Sequence, residues 1–151
     1  YTTPQNAISA PTSGELLAGA GQDGLLRLFQ WPVQPPLSMP GHADIVTAVA
    51  ISRDGKTILS GSNELKVNLS NSVDGKAKFA LVGQEGKVTS VALDRSGLHA
   101  ASGSDTGLVK LWTTEDGKPI AGLAGHTGAV TGIDFHPTEK QFATSGADGT
   151  V

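Results

Sequence analysis

Short hydrophobic runs, in which apolar and polar residues tend to alternate, follow one another along the chain, and turn-forming residues separate them. Between residues 46 and 82, for example, the dipeptides Asp54-Gly55 and Asp74-Gly75 stand between such runs. Runs of this kind bounded by Asp-Gly and Ser-Gly pairs are typical of antiparallel strands joined by hairpins. No window of about twelve or more residues has a helical period. The pattern therefore predicts an all-β chain.

The same order of residue types returns at a fixed interval. Gly41, Gly83 and Gly125 each begin a similar string, and their spacing is 42 residues (83 − 41 and 125 − 83). A period of about 40–45 residues is typical of one four-stranded propeller blade. We therefore interpret the chain as a single propeller segment with blades at about residues 2–40, 41–82, 83–124 and 125–151. Because closed propellers usually have about 4–8 blades, we expect an incomplete arc of a larger propeller, with about seven or eight blades in all.

Within these units the runs predict strands of similar length. The predicted strands are residues 6–10, 16–20 and 25–30; then 46–52, 57–61, 65–70 and 77–82; then 88–93, 98–102, 108–113 and 119–123; and finally 130–135 and 141–145. Residues 31–36 contain three prolines, which donate no ladder hydrogen bonds. This stretch is therefore predicted to be an edge strand or an extended loop.

Composition excludes several functional classes. The formal net charge of the 151 residues is −3, and the 11 lysines and arginines form no basic run, which argues against a nucleic-acid surface. No apolar stretch reaches the length of about 18 residues that a membrane-spanning helix needs. Cysteine is absent, so disulfides and thiolate metal sites are excluded. The cellular compartment is left open.

In this register the residues resemble the WD40 repeat family. The family's unit has Gly-His before its first strand, Ser-Gly-Ser at the end of the second, Asp-Gly in the next hairpin and Trp-Asp at the end of the third. The matching elements are Gly41-His42 and Gly125-His126, Ser60-Gly61-Ser62 and Ser102-Gly103-Ser104, Asp23-Gly24 and Asp148-Gly149, and Trp112-Thr113. Gly83-Gln84 departs from the pattern at the histidine. The resemblance covers nearly the whole chain and implies an all-β, WD40-like β-propeller with four-stranded antiparallel blades.

The resemblance also implies a structural tetrad in each blade, in which His, a second-strand Ser or Thr, the hairpin Asp and the third-strand Trp are joined by hydrogen bonds. A buried carboxylate needs polar donors of this kind. The implied tetrad residues are His42 and Ser60 in the second unit, Ser102, Asp105 and Trp112 in the third, and His126, Ser145 and Asp148 in the fourth. The second unit is expected to have the weakest network, because Asn63 and Leu69 hold its other two positions.

Propellers of this family typically bind partners with the loops before the first strand and between the second and third strands. The candidate partner-binding residues on these loops are Asp44, Asn63, Glu64, Glu85, Lys87, Asp105, Thr106 and Thr127. The resemblance thus implies a non-catalytic scaffold that binds other proteins, without a cofactor or metal, and that is completed by blades from the same parent chain or from another subunit. The alternatives are an accessory propeller of a larger enzyme or redox protein, and a structural subunit of a large assembly.

Two motifs could indicate chemistry. Ser145, His126 and Asp148 have the composition of a hydrolase triad, but the set recurs in part from unit to unit, as a structural network would, and no Gly-x-Ser-x-Gly elbow supports it. Residues 19–24 have the form G-x-G-x-x-G, but a strand-like run follows where a nucleotide site needs a helix. The four histidines have no metal-ligand spacing. We interpret all of these residues as parts of blades.

Overall fold

The computed structural model describes residues 4–12, 14–30 and 37–151, and this part of the chain consists of strands and turns without a helix. The strands are β1 (Gln5–Ser9), β2 (Leu16–Gly21), β3 (Leu25–Gln30), β4 (Leu37–Pro40), β5 (Val46–Ile51), β6 (Thr57–Ser62), β7 (Val67–Asn71), β8 (Ala77–Leu81), β9 (Val88–Leu93), β10 (His99–Ser104), β11 (Leu108–Thr113), β12 (Pro119–Ala124), β13 (Val130–Phe135) and β14 (Phe142–Gly146). The predicted all-β class is confirmed. The stretch 31–36, predicted as an edge strand or loop, lies outside the described residues.

Within each sheet, every strand pairs antiparallel with the next one along the chain. Strands β1–β4 form the first sheet, β5–β8 the second and β9–β12 the third, while β13 pairs with β14. The first strands of successive sheets, β1, β5, β9 and β13, adjoin one another in that order. The sheets are therefore arranged as successive blades, and the molecule is a partial β-propeller, as predicted.

Hydrophobic side chains fill the space between neighbouring blades. One buried cluster joins Leu26 and Leu28 of the first sheet to Ile51 and Ile58 of the second. A second cluster joins the second sheet to the third, and its members are Leu59, Val67, Leu69, Leu81, Val88, Ala100 and Trp112. Both faces of the second sheet are thus buried against its neighbours, which is why successive residues on opposite faces of one of its strands, Ile58 and Leu59, are both fully buried.

Hydrogen bonds from side chains of the first strands connect one blade to the next. The donors and acceptors are Asn6 Nδ2 to Val46 O (2.8 Å), Thr47 Oγ1 to Val88 O (2.5 Å) and Thr89 Oγ1 to Val130 O (2.5 Å). Each pair lies 40 or 41 residues apart in sequence. We call these contacts the inter-blade bonds.

Glycine allows the close approach of blades at one repeated position. A Cβ atom at Gly103 would lie 2.6 Å from Val130 Cγ1, and one at Gly61 would overlap Val88 in the same way. Gly61 pairs with Ala48 and Gly103 with Ser90 in the antiparallel ladders, and the corresponding residue of the fourth sheet is Ser145, opposite Gly132. This register determines which side chains can reach the hydrogen-bond network of each blade.

Candidate functional site

The second blade holds a chain of hydrogen bonds centred on His42. The His42 side chain is fully buried; its Nε2 atom is 2.9 Å from Ser60 Oγ and its Nδ1 atom is 2.8 Å from Glu64 Oε1. Burial lowers the pKa of His42 from its ordinary value, although the Glu64 carboxylate opposes this shift. A neutral imidazole therefore fits the site, with Nδ1–H donating to Glu64 and Nε2 accepting from the Ser60 hydroxyl.

Glu64 is the acidic residue of this network, one position after Asn63. Burial by itself would raise the pKa of Glu64, but hydrogen bonds from His42, the Ala43 backbone N–H and Lys66 lower it. The third-strand position of the network is held by Ser70, because Ser70 pairs with Ile58 just as Trp112 pairs with Ala100 in the third blade. Leu69, the residue predicted for that position, instead lies in the core between the blades.

In the third blade, glutamine takes the place of the histidine. Trp112 Nε1 donates to Ser102 Oγ (2.9 Å), and Ser102 Oγ donates to Gln84 Oε1 (2.7 Å). All three side chains are buried, and Gln84 Nε2 has no hydrogen-bond partner within the described residues. The exposed Asp105, predicted as a member of this tetrad, instead accepts a hydrogen bond from the Lys87 backbone N–H (2.9 Å).

The fourth blade uses Thr144 where the sequence motif indicated Ser145. His126 Nε2 is 2.9 Å from Thr144 Oγ1, and its Nδ1 is 2.9 Å from Thr150 Oγ1 and 3.3 Å from Asp148 Oδ1. The Ser145 hydroxyl is 2.9 Å from Thr131 Oγ1 instead. Adjacent residues of a strand point to opposite faces, so Ser145 is turned away from the network that contains Thr144.

Asp148 fastens the loop before β13 to the hairpin after β14. Hydrogen bonds from the Thr150 hydroxyl, then from the Thr127 backbone N–H, hold the pKa of Asp148 well below its usual range. The Thr127 bond is 2.7 Å long. The carboxylate is therefore a structural hydrogen-bond acceptor that joins two loops.

The predicted partner-binding residues lie on loops that are also connected to one another by hydrogen bonds. We call this set the loop face, and its members are Asp44, Asn63, Glu64, Glu85, Lys87, Asp105, Thr106 and Thr127. The Thr106 hydroxyl donates to Glu85 O (3.2 Å), which adds a second link to the one between Asp105 and Lys87. Asp44, Glu85 and Lys87 are exposed. The structure thus combines a fixed loop backbone with charged side chains that reach solvent.

The motifs that could indicate chemistry are parts of blades in the structure. Ser145 makes its hydroxyl contacts with Thr131 rather than with His126. Gly24 lies in the β2–β3 turn with a positive φ of 76°, and the strand β3 follows it. The described residues bring no group of three or more His, Asp or Glu side chains within reach of a common metal ion. Among those same residues there is also no helix long and apolar enough to cross a membrane.

Comparison with known proteins agrees with this architecture. The family model described as "WD domain, G-beta repeat" matches residues 33–79, 75–113 and 117–151, which is more than half of the chain. The chain belongs to the WD40 repeat family. Among curated proteins, this WD40 chain is 33% identical over 85 residues to nuclear distribution protein PAC1 of Coccidioides posadasii; the match covers 54% of the chain and 18% of that relative.

Solved structures show the same fold at low sequence identity. The computationally designed Ika4 protein superimposes with a TM-score of 0.88 at 20% identity, over 99% of this chain and 89% of that one. U3-55K superimposes with a TM-score of 0.83 at 21% identity, over 89% of this chain and 43% of that one. The WD40 repeats of RRP9 give a TM-score of 0.83 over 42% of their chain. The WD40 chain therefore spans less than half of U3-55K and of RRP9, and less than a fifth of PAC1.

Proposed function

We propose that this WD40 chain is a non-catalytic scaffold that binds another protein through the loop face. WD40 domains typically bind other proteins, and because the chain belongs to this family we expect it to bind a protein as well. The observation that supports binding by the loop face is that hydrogen bonds hold its loops in place in successive blades. In the third and fourth blades an acidic side chain accepts a hydrogen bond from the backbone N–H of the loop before the first strand, at Lys87 and Thr127. In the second blade the Ala43 backbone N–H lowers the pKa of Glu64.

This fastening favours binding because a fixed backbone loses little conformational freedom when a partner docks. The exposed charges of Asp44, Glu85 and Lys87 form a polar rim of mixed sign, which is suited to a protein partner. The absence of catalysis is supported by the position of Ser145, since the candidate nucleophile contacts Thr131 and not the imidazole of His126.

The test reverses two exposed charges of the loop face. In the variant Asp44→Lys with Glu85→Lys, we expect the affinity for a protein that co-purifies with the tagged chain to fall at least about tenfold, because like charges then face the partner across the rim. The matched control is Asp74→Lys with Glu115→Lys, which makes the same charge change on exposed turns at the opposite ends of the strands. Both pairs are measured by titration calorimetry against the purified partner.

Unchanged affinity in the loop-face variant would exclude this face as the binding site. Equal losses in both variants would indicate a general charge effect and would contradict the proposal in the same way. Circular dichroism of both variants shows whether the fold is retained.

A further inference from the structure

Two arginines occupy the same position in neighbouring blades. Arg53 lies in the turn between β5 and β6, and Arg95 lies in the turn between β9 and β10. A cavity of about 290 Å³ opens between the two turns, and its lining residues are Ser52, Arg53, Asp54, Arg95, Ser96 and Gly97. We call this cavity the arginine cleft. It lies at the opposite ends of the strands from the loop face.

The carboxylates of these two turns are occupied within their own turns. Asp54 Oδ1 accepts hydrogen bonds from Ser52 Oγ (2.6 Å) and from the Lys56 backbone N–H (3.0 Å), and these bonds lower the pKa of Asp54. Asp94 Oδ2 accepts from Ser96 Oγ (2.6 Å) and lies 2.9 Å from His99 Nδ1. Neither carboxylate is therefore directed at an arginine.

The two arginines consequently have no counter-ion in the part of the chain that the structure describes. Within the described ranges, Arg53 makes no hydrogen bond or ion pair, and Arg95 contributes one bond, from Nη1 to Pro137 O at 3.3 Å. A guanidinium group has five N–H donors in a rigid fork that matches a carboxylate. Arg53 thus keeps all its donors, while Arg95, whose Nη1 is bonded to Pro137 O in the β13–β14 turn, keeps its remaining donors for an anionic ligand.

The turns that carry the arginines are held in place by the neighbouring turns of the same blades. The Ser72 hydroxyl donates to Gly55 O, and the Thr114 hydroxyl donates to Gly97 O at 2.5 Å. Gly55 and Gly97 both have a φ of 71°, which glycine adopts without strain. The backbone below each arginine is thus fixed before any ligand arrives, so binding has to order only the side chains.

We propose that the arginine cleft binds an acidic segment of a partner protein, with carboxylates of an extended peptide seated on Arg53 and Arg95. Charge complementarity favours this occupant, because the cleft offers two cations that have no counter-ion among the described residues. A peptide fits better than a nucleic acid, since the cavity is small and offers two cations, whereas a nucleic-acid surface usually has a basic patch or stripe. The cleft is separate from the loop face and does not depend on it.

The test uses the full chain and a fluorescein-labelled octaglutamate peptide, with binding followed by fluorescence anisotropy. We expect saturable binding that weakens about tenfold in the variant Arg53→Gln with Arg95→Gln, because two charge-assisted contacts are lost. Arg53→Lys with Arg95→Lys should weaken binding about threefold, since lysine keeps the charge but not the fork. The matched control is Lys76→Gln with Lys118→Gln, which removes the same charge from two exposed lysines outside the cleft and the loop face and should leave binding unchanged.

Equal losses in the glutamine variant and in the lysine control would show that net charge alone attracts the peptide, and would overturn the proposal. Absence of saturable octaglutamate binding would overturn it as well, and so would tighter binding of a labelled oligothymidylate by the same arginines. The Asp44→Lys, Glu85→Lys variant should bind octaglutamate as the unmodified chain does. The experiments therefore distinguish a failure of the proposal for the arginine cleft from a failure of the proposal for the loop face.

Discussion

The inter-blade bonds should contribute measurably to stability, and Thr89 offers the clearest test. Its hydroxyl donates to Val130 O of the next blade at 2.5 Å and lies 3.2 Å from Gly103 O of its own blade. Thr89→Val keeps the shape of the side chain but removes the donor. A typical intramolecular hydrogen bond contributes about 0.5–1.5 kcal/mol, and a buried carbonyl left without a partner costs about 1–3 kcal/mol. Because the Thr89 site is only partly buried, we expect a loss of about 1–2 kcal/mol.

The assay is urea unfolding followed by circular dichroism, with the free energy taken from the midpoint at constant m-value. Thr131→Val is the matched control, because Thr131 occupies the same strand position but bonds to Ser145 within its own sheet. This exposed control should lose less than about 0.5 kcal/mol. If Thr89→Val were no more destabilising than Thr131→Val, the inter-blade bond would make no net contribution to the free energy of unfolding, and the prediction would be refuted.

Three further predictions concern the blade networks. Combining Gln84→His with Thr106→Glu should rebuild the histidine–carboxylate pair in the third blade, and a double-mutant cycle by urea unfolding should give a favourable coupling of about 1 kcal/mol; an additive result would contradict this. Thr144→Val should cost about 1 kcal/mol while Ser145→Ala stays within about 0.5 kcal/mol, and the reverse order would refute the assigned register. Because the pKa of His42 is lowered in the folded state, the unfolded chain takes up its proton first as the pH falls; its contribution to stability is complete above about pH 6.5 and is lost below that value. Unfolding measured from pH 8 to pH 5 should show this slope, and His42→Gln should reduce it.

The secondary structure was predictable because it depends on local pattern. The predicted strands 25–30, 88–93, 108–113 and 130–135 coincide with β3, β9, β11 and β13. Short runs bounded by glycine turns leave few other arrangements, and a repeat of the right period indicates how the resulting sheets are arranged. The WD40-like fold was therefore correctly expected from the sequence.

The membership of the blade networks was less predictable, because it depends on register. The Ser-Gly-Ser motif indicates Ser145, whereas the interval from Gly41 to Ser60, measured from Gly125, leads to Thr144. In the same way, the interval from Gly125 to Asp148, measured from Gly41, leads to Glu64 rather than Asn63 for the acidic residue of the second blade. A shift of one residue along a strand moves a side chain to the other face, so a small error of alignment changes the chemistry completely.

By itself, then, the sequence determined the class of fold, the blade period and most strand positions, since these follow from the spacing of apolar and turn residues. Only the tertiary structure decided that Gln84 replaces the histidine as acceptor for Ser102 and that Thr89 donates a hydrogen bond to the next blade. It also decided that the carboxylates next to Arg53 and Arg95 accept hydrogen bonds from serines of their own turns. Each of these contacts depends on the direction in which a particular hydrogen bond points, and some connect residues about 40 positions apart. No local pattern of apolar and polar residues specifies such directions, and the packing of one blade against the next determines them.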